Sequence, residues 1–97
     1  MILSFRTAGT EDVFNGKDTR EARRTCPVTL WRGAARKLDQ IDAAVVLNDL
    51  RVPPGNHLEA LAVDRAGQHS IRINDRYRIC FAWTEAGAAL VEIVDYH

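Results

Sequence analysis

From Ser70 to Trp83 the chain alternates twice with period two, and this stretch constrains the fold more than any other. Ile71 and Ile73 alternate with Ser70 and Arg72, and Ile79, Phe81 and Trp83 alternate with Arg78, Cys80 and Ala82. β-Branched and aromatic residues at alternate positions read as two half-buried strands, with Asn74-Asp75 supplying the turn between them. The apolar face of such a hairpin must pack against something, so the rest of the chain has to cover it. The other face carries Arg72 and Arg78 side by side. Two planar, multi-donor guanidiniums on an open sheet face suit a phosphate ligand. They equally suit a solvated strand surface, where charges contribute little energy.

The remaining segments read as follows. Ile2, Leu3 and Phe5 form a short strand that ends in a Gly-containing turn. Thr10 to Phe14 begins a helix, with Thr10 as N-cap and acids in the first turn, and Asn15-Gly16 interrupts it. Thr19 to Arg24 forms a second short helical piece before Pro27. Thr29 to about Leu47 is the clearest helix, because Leu30, Ala34, Leu38, Ile41 and Val45 lay one apolar stripe along it. Val52-Pro53-Pro54-Gly55-Asn56 is a loop that cannot continue a helix. His57 to Leu61 reads as a strand, with an odd spacing of Leu58 and Leu61 that points to a bulge or an early end. Asp64 to Gly67 turns the chain into the hairpin, Glu85-Ala86-Gly87 turns it again, and Ala89 to Val94 is the last strand. Strand, helices, then four antiparallel strands make an α+β domain with helices on one face of a sheet.

With 97 residues, 46% of them hydrophobic, the chain suffices for one compact domain spanning residues 1–97. Thirteen basic and thirteen acidic residues cancel, so any anion site must come from local clustering rather than from a global field. Cys26 and Cys80 stand far apart, with no C-x-x-C and no clustered His. Neither a metal site nor a disulfide framework is expected, no cofactor is implied, and a reducing, cytoplasmic setting is the simpler reading. The first residues lack the long apolar run of a signal peptide, and no segment approaches the ~20 apolar residues that span a bilayer.

Asp95, Tyr96 and His97 are three titratable residues at the end of the last strand. An imidazole with a pKa near ~6.5 can give or take a proton at neutrality, and an Asp two residues away can orient it or act as a base. A solvated polar tail is the plainer alternative.

Taken together, Ser4-Phe5-Arg6, Leu38 to Ala44, Pro53-Pro54-Gly55-Asn56, Leu58-Glu59-Ala60-Leu61, Asp64 to Ser70, Arg78-Ile79-Cys80-Phe81 and the terminal Asp95-Tyr96-His97 closely resemble the HigB toxins of the RelE/ParE superfamily, from residue 1 to residue 97. The resemblance implies a compact RelE-like domain of microbial-RNase type, with an N-terminal strand and two helices packed on a mainly antiparallel sheet. It implies a ribosome-dependent endonuclease that cuts mRNA in the A site by metal-free attack of the 2′-hydroxyl. It also implies a HigA-like helix-turn-helix antitoxin, with operator DNA reached only through the toxin–antitoxin complex, and no membrane.

Such a reaction needs a base for the 2′ proton, cations for the pentavalent phosphate and an acid for the 5′ oxygen. By resemblance, Arg78 falls on the phosphate-contacting arginine, and Asp95, Tyr96 and His97 fall on the terminal catalytic triplet. Glu59 joins the catalytic set at a position where relatives often carry His. His97 is the expected general acid or base, Asp95 its orienter or an alternative base, and Tyr96 a stacking or hydrogen-bonding partner for an RNA base. Arg72, Arg76 and His57 are the expected RNA-binding residues. Relatives usually carry Leu-Lys-Gly-Asp where this chain has Leu61-Ala62-Val63-Asp64, so the amine at position 62 is missing and Arg72, Arg76 or His57 would have to compensate. Two other functions fit the same fold. One is a non-catalytic, ParE-like gyrase poison, against which the DYH end argues; the other is a weakly active toxin that works mainly through antitoxin binding.

Overall fold

The computed structural model describes residues 1–96. Three helices, α1 (Ala8–Phe14), α2 (Arg20–Thr25) and α3 (Trp31–Ala43), precede a four-stranded antiparallel sheet. Its strands are β1 (Glu59–Ala60), β2 (Gln68–Arg72), β3 (Tyr77–Thr84) and β4 (Gly87–Asp95), in the order β1-β2-β3-β4.

The hairpin forms where the alternation requires it. Ile71 pairs with Ile79, and Ile79 with Ile93, so one row of isoleucines crosses three strands on a single face. Val13, Ala22, Leu38 and Ile41 from the helices join Ile71, Ile79, Phe81 and Ile93 in one buried cluster. Asn74 closes the turn, its side-chain oxygen accepting the backbone N–H groups of Arg76 and Tyr77 at 2.9 and 2.7 Å. That Asx geometry is why a short polar residue serves there.

The helices depart from the sequence reading at their ends. Thr7, not Thr10, caps α1: its hydroxyl accepts the Thr10 N–H at 3.3 Å. Thr10 therefore lies inside the first turn, fully buried, and its own hydroxyl accepts the Ile93 N–H at 3.1 Å. A tertiary bond to β4 has taken the threonine that the local pattern assigned to the cap. Thr19 caps α2 through the Ala22 N–H. Gly9 lets α1 and α2 touch, since a Cβ there would lie 2.4 Å from the Glu21 carbonyl oxygen.

α3 is shorter than expected at both ends. Val28–Leu30 form a 3-10 turn after Pro27, and the helix stops at Ala43. Beyond it, the Asp49 carboxylate accepts the N–H groups of Val45 and Val46 at 2.9 and 3.1 Å, drawing the chain into a 3-10 turn over Leu47–Arg51. Val45 consequently leaves the apolar stripe and is exposed. Ala34, Leu38 and Ile41 keep to it and are buried.

The expected N-terminal strand is reduced to two isolated parallel bridges, Ile2 with Ala88 and Phe5 with Val91. The cause is a bulge in β4. Cys80 opposes Glu92 and Ala82 opposes Ala89, so β4 spends three steps where β3 spends two. Leu90, at φ 54°, absorbs the extra residue and donates its N–H to the Ser4 hydroxyl at 2.9 Å. Gly87 opens β4 at φ 144°, where a Cβ would sit 2.2 Å from the Met1 carbonyl oxygen. β1 ends early, as the Leu58 and Leu61 spacing indicated, with one further bond from the Leu61 N–H to the Gln68 carbonyl at 2.9 Å. No helix among the described residues is long and apolar enough to cross a membrane.

Candidate active site

The face of the sheet turned away from the helices holds Glu59, Ser70, Arg72, Arg78, Cys80 and Glu92, by register. Arg72 and Arg78 are direct cross-strand partners. Only Arg72 retains the partly open setting expected of both. The Arg78 side chain is 10% exposed, covered by the segment that leads into β1.

A buried guanidinium is costly unless its donors are met. Arg78 Nε donates to the Ser70 hydroxyl at 2.8 Å. Its Nη2 donates to the His57 carbonyl at 2.6 Å and, more weakly, to the Ser70 carbonyl at 3.4 Å. The Glu59 carboxylate lies 3.6 Å from Nη2, and the Tyr96 ring stacks near the guanidinium with its centroid 6.0 Å away. No hydrogen bond to Nη1 forms among the described residues, so its two N–H groups are left for a ligand.

The His57 carbonyl is aimed by the preceding loop. Pro54–Asn56 form a 3-10 turn, and His57 follows at φ 45°. Asn56 is fully buried and fixes that turn. Its amide donates to the Gln40 side chain at 3.0 Å and the Leu50 carbonyl at 3.1 Å, and its oxygen accepts from Lys37. The Pro-Pro-Gly-Asn run thus holds a carbonyl against Arg78 by anchoring on α3. Burial, and the neighbouring Arg36 charge, push the Lys37 amine below its usual range.

A cleft of about 310 Å³ opens over this arrangement, lined by His57, Glu59, Arg72, Asn74, Asp75, Arg78 and Tyr96. The cleft brings together five of the expected site residues: His57, Glu59, Arg72, Arg78 and Tyr96. Arg72 forms an ion pair with Asp75, so each guanidinium in the cleft has a carboxylate beside it. Arg76 and Asp95 are not among its lining residues. They chelate one another, Arg76 Nε and Nη2 donating to the two Asp95 oxygens at 2.9 and 2.8 Å. That bond, and then the Asp95 charge, raise the Arg76 pKa above its usual value. The Arg76 carbonyl also accepts the Tyr96 N–H at 2.6 Å, tying the end of β4 to the turn. His97 lies outside the described residues. Ala62 is exposed and places no cation at the cleft.

Sequence reasoning places Ser70 in the hairpin, Asn56 in the loop and Asp75 in the turn, but gives none of them a role at the site. Ser70 was visible only as the polar partner of Ile71, and nothing local says that its hydroxyl orients an arginine eight residues on.

The family model of the RelE-like toxin of type II toxin-antitoxin system HigB matches residues 3–97. The chain belongs to the HigB-like toxin family. A curated relative, Toxin HigB-1 of Vibrio cholerae serotype O1, is 36% identical over 97 residues, covering 100% of this chain and 98% of that protein. An uncharacterized protein of Haemophilus influenzae is 46% identical over 57 residues, 59% of this chain and 56% of that one. In fold, this HigB-like chain is similar to a chain of the YoeB-YefM complex from Staphylococcus aureus. The TM-score is 0.61 at 14% identity, covering 100% of this chain and 98% of that one. Arg78, Glu59 and Tyr96 sit together in a cleft where the open sheet face, the loop after α3 and the end of β4 converge.

Proposed function

We propose that this HigB-like toxin is a ribosome-dependent endonuclease that cuts mRNA in the ribosomal A site. In the reaction, the RNA 2′-hydroxyl forms a new bond to the adjacent phosphorus and the bond from phosphorus to the 5′ oxygen breaks. A 2′,3′-cyclic phosphate and a free 5′-hydroxyl result, with no redox change.

One observation carries the reading. Arg78 is held rigidly by Ser70 and the His57 carbonyl where it lines the cleft, with the Glu59 carboxylate 3.6 Å from its Nη2. Donors fixed before charge develops act most strongly on the pentavalent phosphate, because nothing has to reorganise during the reaction. Arg78 stabilises that charge, with Arg72 beside it once the phosphate displaces Asp75. Glu59 takes the 2′ proton. Tyr96 offers a half-exposed ring on which an unpaired base can stack, a contact worth ~1–3 kcal/mol. Asp95, fixed by Arg76, stands next in sequence to Tyr96 as an orienting carboxylate. His97 is assigned the acid for the 5′ oxygen on its chemistry alone. A HigA-like antitoxin holds the toxin inactive, and operator DNA is contacted only through their complex.

The test compares one mRNA free in solution and on programmed ribosomes. Cleavage is expected on ribosomes and not in solution, and a 2′-deoxynucleotide at the attacking position should abolish it. Equal rates in both settings, or continued cutting at the deoxy position, would overturn the reading. In cells, intact mRNA during growth arrest would point to the gyrase-poison alternative.

A further inference from the structure

The open sheet face carries a second cationic group that the reaction above does not use. Register places Glu59, Ser70, Cys80 and Glu92 in one row across β1 to β4. Arg78 reaches the Glu59–Ser70 end of it. At the other end, Glu92 Oε1 accepts a hydrogen bond from Arg65 Nη2 at 3.1 Å and lies 3.8 Å from Arg6 Nε. Arg65 Nη1 also donates to Gln68 at 3.2 Å, so this side chain spans from β2 to β4. Beneath that span lie two small residues, Cys80 and Ala82, paired across to Ser70 and Gln68. Cys80, between Ser70 and Glu92 in the row, is fully buried. Neighbouring strands are about 4.8 Å apart, so the row from Glu59 on β1 to Glu92 on β4 is about 14 Å long.

Two guanidiniums share a single carboxylate there, leaving one net positive charge. The Arg6 side chain is 53% exposed and, apart from its ion pair with Glu92, forms no hydrogen bond among the described residues, so donors remain for a ligand. We propose that Arg65, with Arg6 beside it, forms a second phosphate subsite for an RNA linkage flanking the one cut at Arg78. Glu92 competes with the phosphate for both guanidiniums. This rests on the nuclease reading and extends it, because the RNA strand then crosses the sheet from β1 toward the N-terminal segment. A groove that tracks successive phosphates with fixed cations is how single-stranded nucleic acid is held without regard to base.

The experiment uses the full chain and synthetic mRNAs on programmed ribosomes, all-phosphate or with one uncharged methylphosphonate at either linkage next to the cut. For the wild type, one of the two replacements is expected to raise the half-saturating toxin concentration about tenfold, the scale of a single charge-assisted hydrogen bond. Arg65→Gln should show that rise already on all-phosphate RNA and no further rise on the modified one. Glu92→Gln should lower the half-saturating concentration, because both guanidiniums lose their competing anion. A purely structural cluster predicts the opposite, with Glu92→Gln binding as poorly as Arg65→Gln. Thermal unfolding establishes that each variant is folded. An Arg65→Gln protein that still suffers the full methylphosphonate penalty overturns the subsite while leaving the nuclease reading intact. A wild type that fails to cut all-phosphate RNA on ribosomes overturns both.

Discussion

The Ser70 hydroxyl accepts the Arg78 Nε proton at 2.8 Å, with both side chains buried on the sheet's open face. The two are diagonal rather than opposite, since Ser70 pairs with Cys80 and Arg78 with Arg72. That offset draws the guanidinium toward β1, where its Nη2 lies 3.6 Å from the Glu59 carboxylate. Ser70→Ala removes the acceptor without removing the donor, a loss of about 1–3 kcal/mol for a buried polar group. It should lower the unfolding free energy by that amount and slow cleavage through misplacement of Arg78. Arg78→Ala should slow single-turnover cleavage by ~10²–10³-fold, as for the loss of an oxyanion donor. Cleavage on ribosomes, with thermal unfolding alongside, checks both. Near-normal cutting by a folded Arg78→Ala protein would make the arginine a structural residue.

Glu59 and His97 separate base from acid. Glu59→Gln keeps the size and polarity of the side chain but cannot accept the 2′ proton. A ~10²–10⁴-fold loss of cleavage is expected for each of Glu59→Gln and His97→Gln, the range for a general acid or base. Glu59 is more than half exposed, so Glu59→Gln should leave the unfolding temperature nearly unchanged. Single-turnover rates against pH provide the second readout: Glu59→Gln should remove the acid limb of the profile and His97→Gln the alkaline limb. If either variant cuts within about threefold of wild type, far short of that range, its residue is not the group that moves the proton.

Two glycines in helices should respond oppositely to alanine. At Gly9 the new methyl would meet the Glu21 carbonyl oxygen at 2.4 Å, and backbone cannot step aside cheaply. Gly9→Ala should lower stability by about 1–3 kcal/mol or more, the usual cost of overpacking. At Gly33, in the exposed part of α3, a Cβ meets nothing within 4 Å. Gly33→Ala should raise stability by about 0.5–1 kcal/mol through helix propensity alone. Urea unfolding of the two variants, read against wild type, tests the α1–α2 contact and the α3 surface together.

Burial raises the Cys26 thiol to about 11 from an ordinary value of 9.0. The folded protein therefore keeps that proton in a window where the unfolded chain has lost it. Stability from this group is complete below pH 9 and declines as pH rises through 9 to 11. Unfolding free energies measured at pH 8 and pH 10.5 should differ more in the wild type than in Cys26→Ala. Equal pH slopes would mean that the thiol is not protected by the fold. Cys80 is raised in the same direction, also chiefly by burial.

The hairpin from Ser70 to Trp83 was legible in the sequence because alternation and an Asx turn are properties of residues adjacent along the chain. The same holds for the short helical piece from Thr19 to Arg24, the apolar stripe through Ala34, Leu38 and Ile41, and the break at Pro53-Pro54. Arg72 and Arg78 could be read as neighbours for the same reason, since hairpin register follows from the turn. Their different fates could not be read. Arg78 is buried because the carbonyl of His57, twenty-one residues earlier, closes over it, while Arg72 stays at the cleft with Asp75. Thr10 lost the cap because Ile93 needed an acceptor, and Val45 left the stripe because Asp49 drew the chain away from the helix. For Arg78 and Thr10 a polar group found its partner across the fold, and for Val45 a carboxylate four residues on outcompeted the helix. Pattern along the chain sets which face a side chain occupies, but only tertiary packing decides which donors meet which acceptors, and the candidate chemistry of this protein rests on those meetings.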